Sequence, residues 1–310
     1  MQRMSSSSPQ FDVILGRCDD MRAEVYVRLR NLCISKELPV ISGTLTGPES
    51  SLAITLPTTA ALSDLGPGPD DTLLARAILT EPGYWTPELP HQYRLHVDVN
   101  ISNTVVASCD RHIGLRRLGV RSRSFWLEGR RWVPRGVHCK TDEIDQNSFR
   151  SSLTSAVIDT PPEAMCRMAS DQGIPILARF DHESIMQHVS LFSHASVMAA
   201  ILHDASHDQC DNVIKQVRPL KGTTLLGLEV DGCQPPPAVH QGLDFLVVFV
   251  EENKTPHDAW RQPNTLPRIA FRPRKDSLQN RRKQCDKLQA DLSRWLQESS
   301  ERWDWAGFIC

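Results

Sequence analysis

The chain has no long apolar run, no paired-cysteine motif and no excess of charge of one sign, and each absence removes a class of function. No stretch of its 310 residues approaches the roughly 20 consecutive apolar side chains that a membrane span requires, so no membrane role is expected. Residues 1–10 hold one arginine and a run of serines but no apolar core of signal-peptide length, and the default expectation is a soluble cytoplasmic protein. The nine cysteines, Cys18, Cys33, Cys109, Cys139, Cys166, Cys210, Cys233, Cys285 and Cys310, are odd in number and scattered without a C-x-x-C pair. That spacing excludes a disulfide framework or a zinc ribbon and predicts mostly buried free thiols in a reducing compartment. Lysine and arginine number 35 against 37 aspartates and glutamates, so no strong field draws the protein to nucleic acid or an anionic membrane, and neither is an expected partner. No internal repeat of fixed period is visible, and no cofactor is expected.

What is present is patterning of two kinds. With 40% hydrophobic residues, a chain of this length can bury two modest cores. In the first half, Ala23, Val25, Val27 and Leu29 alternate with Glu24, Tyr26, Arg28 and Arg30, a period of two that puts one face on a core and the other in water. Val40 to Leu45, Leu52 to Leu56 and Leu73 to Leu79 read similarly, and Tyr93, Leu95, Val97 and Val99 form the clearest run. Clusters such as Gly66-Pro67-Gly68-Pro69 separate them, so an antiparallel sandwich is expected.

The second half alternates apolar bursts with helical stretches, as parallel βα units do. Eight bursts stand out: Trp132 to Val137, Leu153 to Ile158, Ile174 to Ala178, Val197 to Leu202, Thr224 to Val230, Phe245 to Val250, Arg268 to Phe271 and Trp305 to Ile309. Thr160-Pro161-Pro162-Glu163 has the pattern of a capping box and Gly173 that of a helix stop, with Met165, Met168 and Ala169 as the buried stripe between. Near the end, Cys285, Leu288, Leu292, Trp295 and Leu296 share one helical face. A barrel of about 250 residues is usual, so this one must have short crossovers; Pro219 and Pro235-Pro236-Pro237 predict single-turn or missing helices around the fifth strand.

Three motifs in order, Glu81-Pro82-Gly83-Tyr84-Trp85-Thr86-Pro87-Glu88-Leu89-Pro90, Ile113-Gly114-Leu115-Arg116 and Phe125 to His138, resemble the end of the immunoglobulin-like sandwich and the entry to the barrel in family 2 glycoside hydrolases. The resemblance implies a multidomain β then α/β protein, an immunoglobulin-like antiparallel β-sandwich followed by a compact (β/α)8-like TIM barrel. The corresponding division is an N-terminal tail at 1–20, the sandwich at 21–118 and the barrel at 119–310. Residues from about 20 onward follow the family pattern, without the jelly-roll domain that usually precedes the sandwich.

Retaining glycosidases need two carboxylates about 5 Å apart, one as acid and one as nucleophile. By resemblance, the acid would follow the fourth strand, where His194-Ala195-Ser196-Val197 to Asp204-Ala205 puts Asp204 on the family's asparagine and Ala205 on its glutamate. The nucleophile would end the seventh strand, where Arg272 stands, and the arginine and histidine expected after the second strand give way to Ile158-Asp159-Thr160-Pro161. Alanine cannot donate a proton and a guanidinium cannot attack carbon. The resemblance thus implies a pseudoenzyme that binds a carbohydrate or a protein partner.

The expected ligand-binding residues on the barrel's upper rim are His138, Asp159, His203, Asp204 and Arg272, among further polar residues His182, Glu183, Asp231, Glu251 and Glu252. The alternative is an active O-glycosyl hydrolase with relocated acids, for which Asp204, Glu229 and Asp181 are the catalytic candidates; polar loop ends facing water are the blander account. His203, His207 and Cys210 would offer zinc two imidazoles and a thiolate if helical, but no second ligand cluster accompanies them and no metal is expected. Trp85 reads as packing at the sandwich edge more readily than as a sugar platform. The strip Arg111, Arg116, Arg117, Arg121, Arg123, Arg130, Arg131 and Arg135 reads as arginines paired with acids rather than as a nucleic-acid patch.

Overall fold

The computed structural model describes residues 9–31, 38–68, 72–203, 207–238, 240–252, 254–273, 278–297 and 303–310. The chain divides into two compact units, Met1–Trp85 with His91–Leu115, and Thr86–Pro90 with Arg116–Cys310.

The first unit is a pair of antiparallel sheets. Its strands are β1 (Gln10–Cys18), β2 (Arg22–Arg30), β3 (Val40–Glu49), β4 (Thr58–Ala61), β5 (Ser63–Pro67), β6 (Leu73–Thr80), β7 (Gln92–Ile101) and β8 (Thr104–Ile113). They form two four-stranded sheets in the orders β1-β2-β6-β5 and β4-β3-β7-β8. The alternation seen in β2 and β7 is the inward face: Val25, Val27, Leu95, Val97 and Val99 are fully buried, together with Ala75 and Ala77 of β6 and Leu45 of β3. At roughly 1.5–3 kcal/mol for each large apolar side chain buried, this stripe is what holds the two sheets face to face.

Two expectations need correction here. The stretch 1–20 is not all tail, because β1 pairs antiparallel with β2 and turns Phe11, Val13 and Leu15 onto the core. Leu52 to Leu56 is not a strand; it is an irregular, exposed connection between β3 and β4, with Ile54 wholly in solvent. Its alternating pattern has no neighbouring strand to supply backbone partners, and pattern alone does not make a ladder.

The second unit opens with a three-stranded antiparallel sheet, β9 (Leu118–Arg121), β10 (Ser124–Leu127) and β11 (Arg130–Trp132). It continues into β12 (Arg135–His138), β13 (Ser155–Asp159), β14 (Ile176–Phe180), β15 (Val197–Leu202), β16 (Leu225–Asp231), β17 (Phe245–Phe249), β18 (Arg268–Phe271) and β19 (Gly307–Ile309). These eight strands pair in parallel around a closed barrel, with β12 hydrogen-bonded to β19. All eight apolar bursts in the sequence are therefore barrel strands.

Helices cover the barrel unevenly, as the short connections require. They are α1 (Gln146–Ser151), α2 (Glu163–Gln172), α3 (His207–Val217) and α4 (Leu278–Leu296), with 3-10 turns at Ile185–Ser193 and Asp258–Arg261 standing in for two others. Between β16 and β17 the described residues form no helix. The expected capping box before α2 does not form: Thr160 has a left-handed φ of 43°, and Pro162 takes the N-cap position without a side-chain bond. Two consecutive prolines hold the chain extended until Glu163. Gly173 does end α2, in the left-handed conformation with φ 68°.

The N-terminal end of the barrel is plugged rather than open. Phe125 of β10 meets the ring of Phe245, at the start of β17, edge to face at 5.3 Å. Arg116 is buried there and donates from Nη1 to the carbonyls of Ala195 (2.8 Å) and Val197 (2.6 Å), and from Nη2 to the hydroxyls of Thr223 and Thr224. Burial pulls its pKa down to about 10, so it remains a cation at neutral pH, solvated by carbonyl and hydroxyl oxygens. Others of the arginine strip pair with acids: Arg117 with Glu128, Arg131 with Asp304, and Arg135 with Asp286.

Candidate functional site at the barrel mouth

Strand alternation decides which side chains reach the mouth. Val137, Ile158, Ala178, Leu228, Val248 and Ala270 point outward into the core shared with the helices. Their successors His138, Asp159, Arg179, Glu229, Phe249 and Phe271 therefore face the barrel axis at the C-terminal ends of their strands.

Arg179 is the centre of this group. Its guanidinium grips Glu229 with two bonds, Nε to Oε2 at 3.0 Å and Nη2 to Oε1 at 3.2 Å, and reaches Asp159 Oδ1 from Nη1 at 2.6 Å. Its carbon end lies 5.4 Å from the centre of the Phe271 ring, a cation–π distance. Phe271 in turn meets His138 and Phe249 edge-on, each at 5.7 Å. Arg179 and Glu229 are largely sealed, with side chains 11% and 16% exposed, whereas Asp159 keeps 53% of its side-chain surface in solvent.

His138 completes the network. Its Nε2 lies 3.2 Å from Asp159 Oδ2 and 3.3 Å from Arg179 Nη1. One ring nitrogen can donate to the carboxylate or accept from the guanidinium, so the tautomer chooses between them. The bond from His138 is the main reason the Asp159 carboxyl sits below its ordinary range, followed by the charges of Arg179, His138 and His203. An acid catalyst requires the reverse, a carboxyl held protonated near neutral pH.

The remaining candidates are placed elsewhere or outside the described residues. Asp181 Oδ1 accepts the backbone N–H groups of Ser184 (2.7 Å) and Glu183 (3.0 Å), which tie it into a turn and lower its pKa. Arg272, expected on the rim, points away from the barrel axis. Its Nη2 donates to the Lys254 carbonyl at 3.0 Å and its Nη1 to Asp291 of α4 at 3.4 Å. The period of two explains this, because its neighbour Phe271 takes the inward place. His203 follows β15 and acts on both Asp159 and Asp181, which places it beside the network.

Asp204, Ala205 and the side chain of His207 lie outside the described residues. Among those described, no group of three histidine, cysteine or acidic side chains is placed to hold a metal, and Cys210 is buried in the apolar core. Trp85 is fully buried. Arg179 went unread in the sequence, although an arginine at the end of the apolar run Ile176-Leu177-Ala178 was the available signal. A guanidinium in a strand packed on both faces needs buried oxygens to accept its donors, and a carboxylate at a neighbouring strand end is the strongest such partner.

No family model matches the chain, and no curated protein sequence does. Solved structures do. A glycosyl hydrolase family 2 member from Bacteroides cellulosilyticus aligns with 96% of this chain and 43% of its own, at a TM-score of 0.66 and 15% identity. The fold is glycosyl hydrolase family 2-like. A β-glucuronidase from Ruminococcus gnavus aligns over 97% of this chain and 61% of its own (TM-score 0.64, 12% identity). A calcium-binding mutant of a Bacteroides uniformis β-glucuronidase aligns over 96% and 45% (TM-score 0.62, 13% identity). The chain thus spans between 43% and 61% of the length of these three family 2-like neighbours. At such identities the likeness is one of fold, and function has to be argued from the site.

Proposed function

We propose that this protein is a carbohydrate-binding pseudoenzyme, a family 2-like barrel that receives a sugar at its mouth without hydrolysing it. The observation that carries this reading is Arg179, whose guanidinium bonds both Asp159 and Glu229. Both carboxylates are bonded to the one buried guanidinium, so the oxygens that would have to protonate a leaving group or attack an anomeric carbon are already engaged. The downward direction of the Asp159 pKa supports the same conclusion. The partly exposed faces of His138 and Asp159 offer polar contacts, and half-buried Phe249 offers an apolar one. The sugar class of ligand rests on the fold likeness to β-glucuronidases and other glycosidases.

The test is a panel of aryl β-glycosides and β-glucuronides alongside calorimetry or a glycan array with the whole chain. No turnover above background, with saturable sugar binding that Asp159→Asn weakens about tenfold, is the expected result. Turnover that Glu229→Gln abolishes would instead establish a hydrolase with relocated carboxylates. Silence on the array together with capture of a protein would assign the mouth to a protein partner.

A further inference from the structure

Two cysteines belong to the apolar cluster on the outer face of the barrel, on the opposite side of the strands from the mouth network. Cys285 lies on the buried face of α4, with its Sγ 3.3 Å from the Gly136 carbonyl oxygen and 3.7 Å from that of Phe308. Cys310 follows β19 directly, and its backbone N–H donates to the same Gly136 carbonyl at 3.0 Å. Phe308 and Cys310 are two residues apart on an extended strand, so their side chains share a face, and both belong to the apolar cluster that contains Cys285. One carbonyl oxygen thus gathers the thiol of Cys285 and the backbone of Cys310.

Both residues are fully buried in this cluster. The neighbouring Cys310 thiol, together with burial, pushes the Cys285 thiol well above its ordinary range. Arg135 joins the same two elements: its guanidinium lies 4.7 Å from the Phe308 ring centre and reaches Asp286 of α4 at 3.3 Å.

We propose that Cys285 and Cys310 are an oxidation site, a dithiol that a small-molecule disulfide such as oxidised glutathione converts to a cystine linking α4 to the last barrel strand. The thiolate of one cysteine attacks the oxidant, forming a mixed disulfide and releasing one molecule of reduced glutathione. The thiolate of the second then attacks the mixed disulfide and releases another. Two protons leave the cysteines and two electrons pass to the oxidant, so one cystine and two glutathione thiols are formed. Because neither thiol is exposed, exchange waits on local opening of α4; it is slow in the native protein and accelerates with mild urea and with rising pH. Closing the loop between the two cysteines restricts the unfolded chain and strengthens the helix that covers strands β12 and β19.

The experiment exposes the full chain to oxidised glutathione across sub-denaturing urea, followed by alkylation and peptide mapping. The expected product is one cross-linked peptide pair joining Cys285 to Cys310, with the intact mass lower by two hydrogens. The midpoint of barrel unfolding should rise by roughly 5 to 10 °C and return on reduction. Cys285→Ser and Cys310→Ser should each abolish both changes, and because the mapping is done on the unsubstituted chain it does not depend on either variant folding. Glutathione left on both cysteines without a cross-link, a cystine to any other cysteine, or no reaction of either thiol across the urea series would each overturn the proposal.

Discussion

Replacing Arg179 with methionine tests whether the mouth is organised by its guanidinium. The substitution keeps most of the side-chain volume and removes the cation, which leaves Glu229 with both carboxylate oxygens deprived of their donors. Breaking a buried ion pair by deleting one partner costs about 3–5 kcal/mol, because the remaining charge is stranded in a poor solvent. Glu229 retains 16% of its side-chain surface and so some water, while Asp159 is half exposed and contributes little once screened. The expected loss is therefore about 2–4 kcal/mol in barrel unfolding. Tryptophan fluorescence in a urea titration is the natural probe, since six of the seven tryptophans lie in the barrel unit. Adding Glu229→Gln to Arg179→Met should restore part of the loss, giving a coupling of at least about 1 kcal/mol in a double-mutant cycle. A loss below about 1 kcal/mol, or strict additivity of the two substitutions, would refute the idea that this pair organises the mouth.

Three further outcomes follow from the same structure. Gly227→Ala puts a methyl carbon 2.3 Å from the tip of the Phe245 ring, which is itself braced by Phe125; calorimetry should show a loss of about 1–3 kcal/mol, eased by adding Phe245→Leu. Arg116→Met strips donors from the Ala195 and Val197 carbonyls inside the barrel floor and should cost about 2–4 kcal/mol in the same urea titration, with little effect on ligand binding at the opposite end. Asp159 has a folded pKa below its unfolded one, so its stabilising contribution is present above about pH 4 and is lost as the pH falls through the folded value. The unfolding midpoint of Asp159→Asn should accordingly fall less steeply in acid than that of the parent chain.

Much of the architecture was readable along the chain because strands packed on a core have a strict period. Each of the eight apolar bursts became a barrel strand, and the alternation in β2 and β7 marked the inner face of the sandwich. The failures came where period carries no information about neighbours. Leu52 to Leu56 has the right alternation but no strand beside it, whereas β1 was passed over although Phe11, Val13 and Leu15 alternate equally well. His138, Asp159 and Glu229 were picked out by their place at strand ends. Arg272 was picked out by the same rule and turned outward, since an offset of one residue reverses the face.

By itself, the order of residues determined the inventory: an antiparallel half, eight parallel strands, short crossovers, and a set of polar side chains at one end of the barrel. Only the tertiary structure decided which of those side chains meet, because closing the barrel brings β12, β13, β14 and β16 around one axis and sets Arg179 between two acids that lie 70 residues apart in sequence at Asp159 and Glu229. Charge pairing acts over a few ångströms through space, and a linear pattern records spacing along the backbone rather than distance across a mouth.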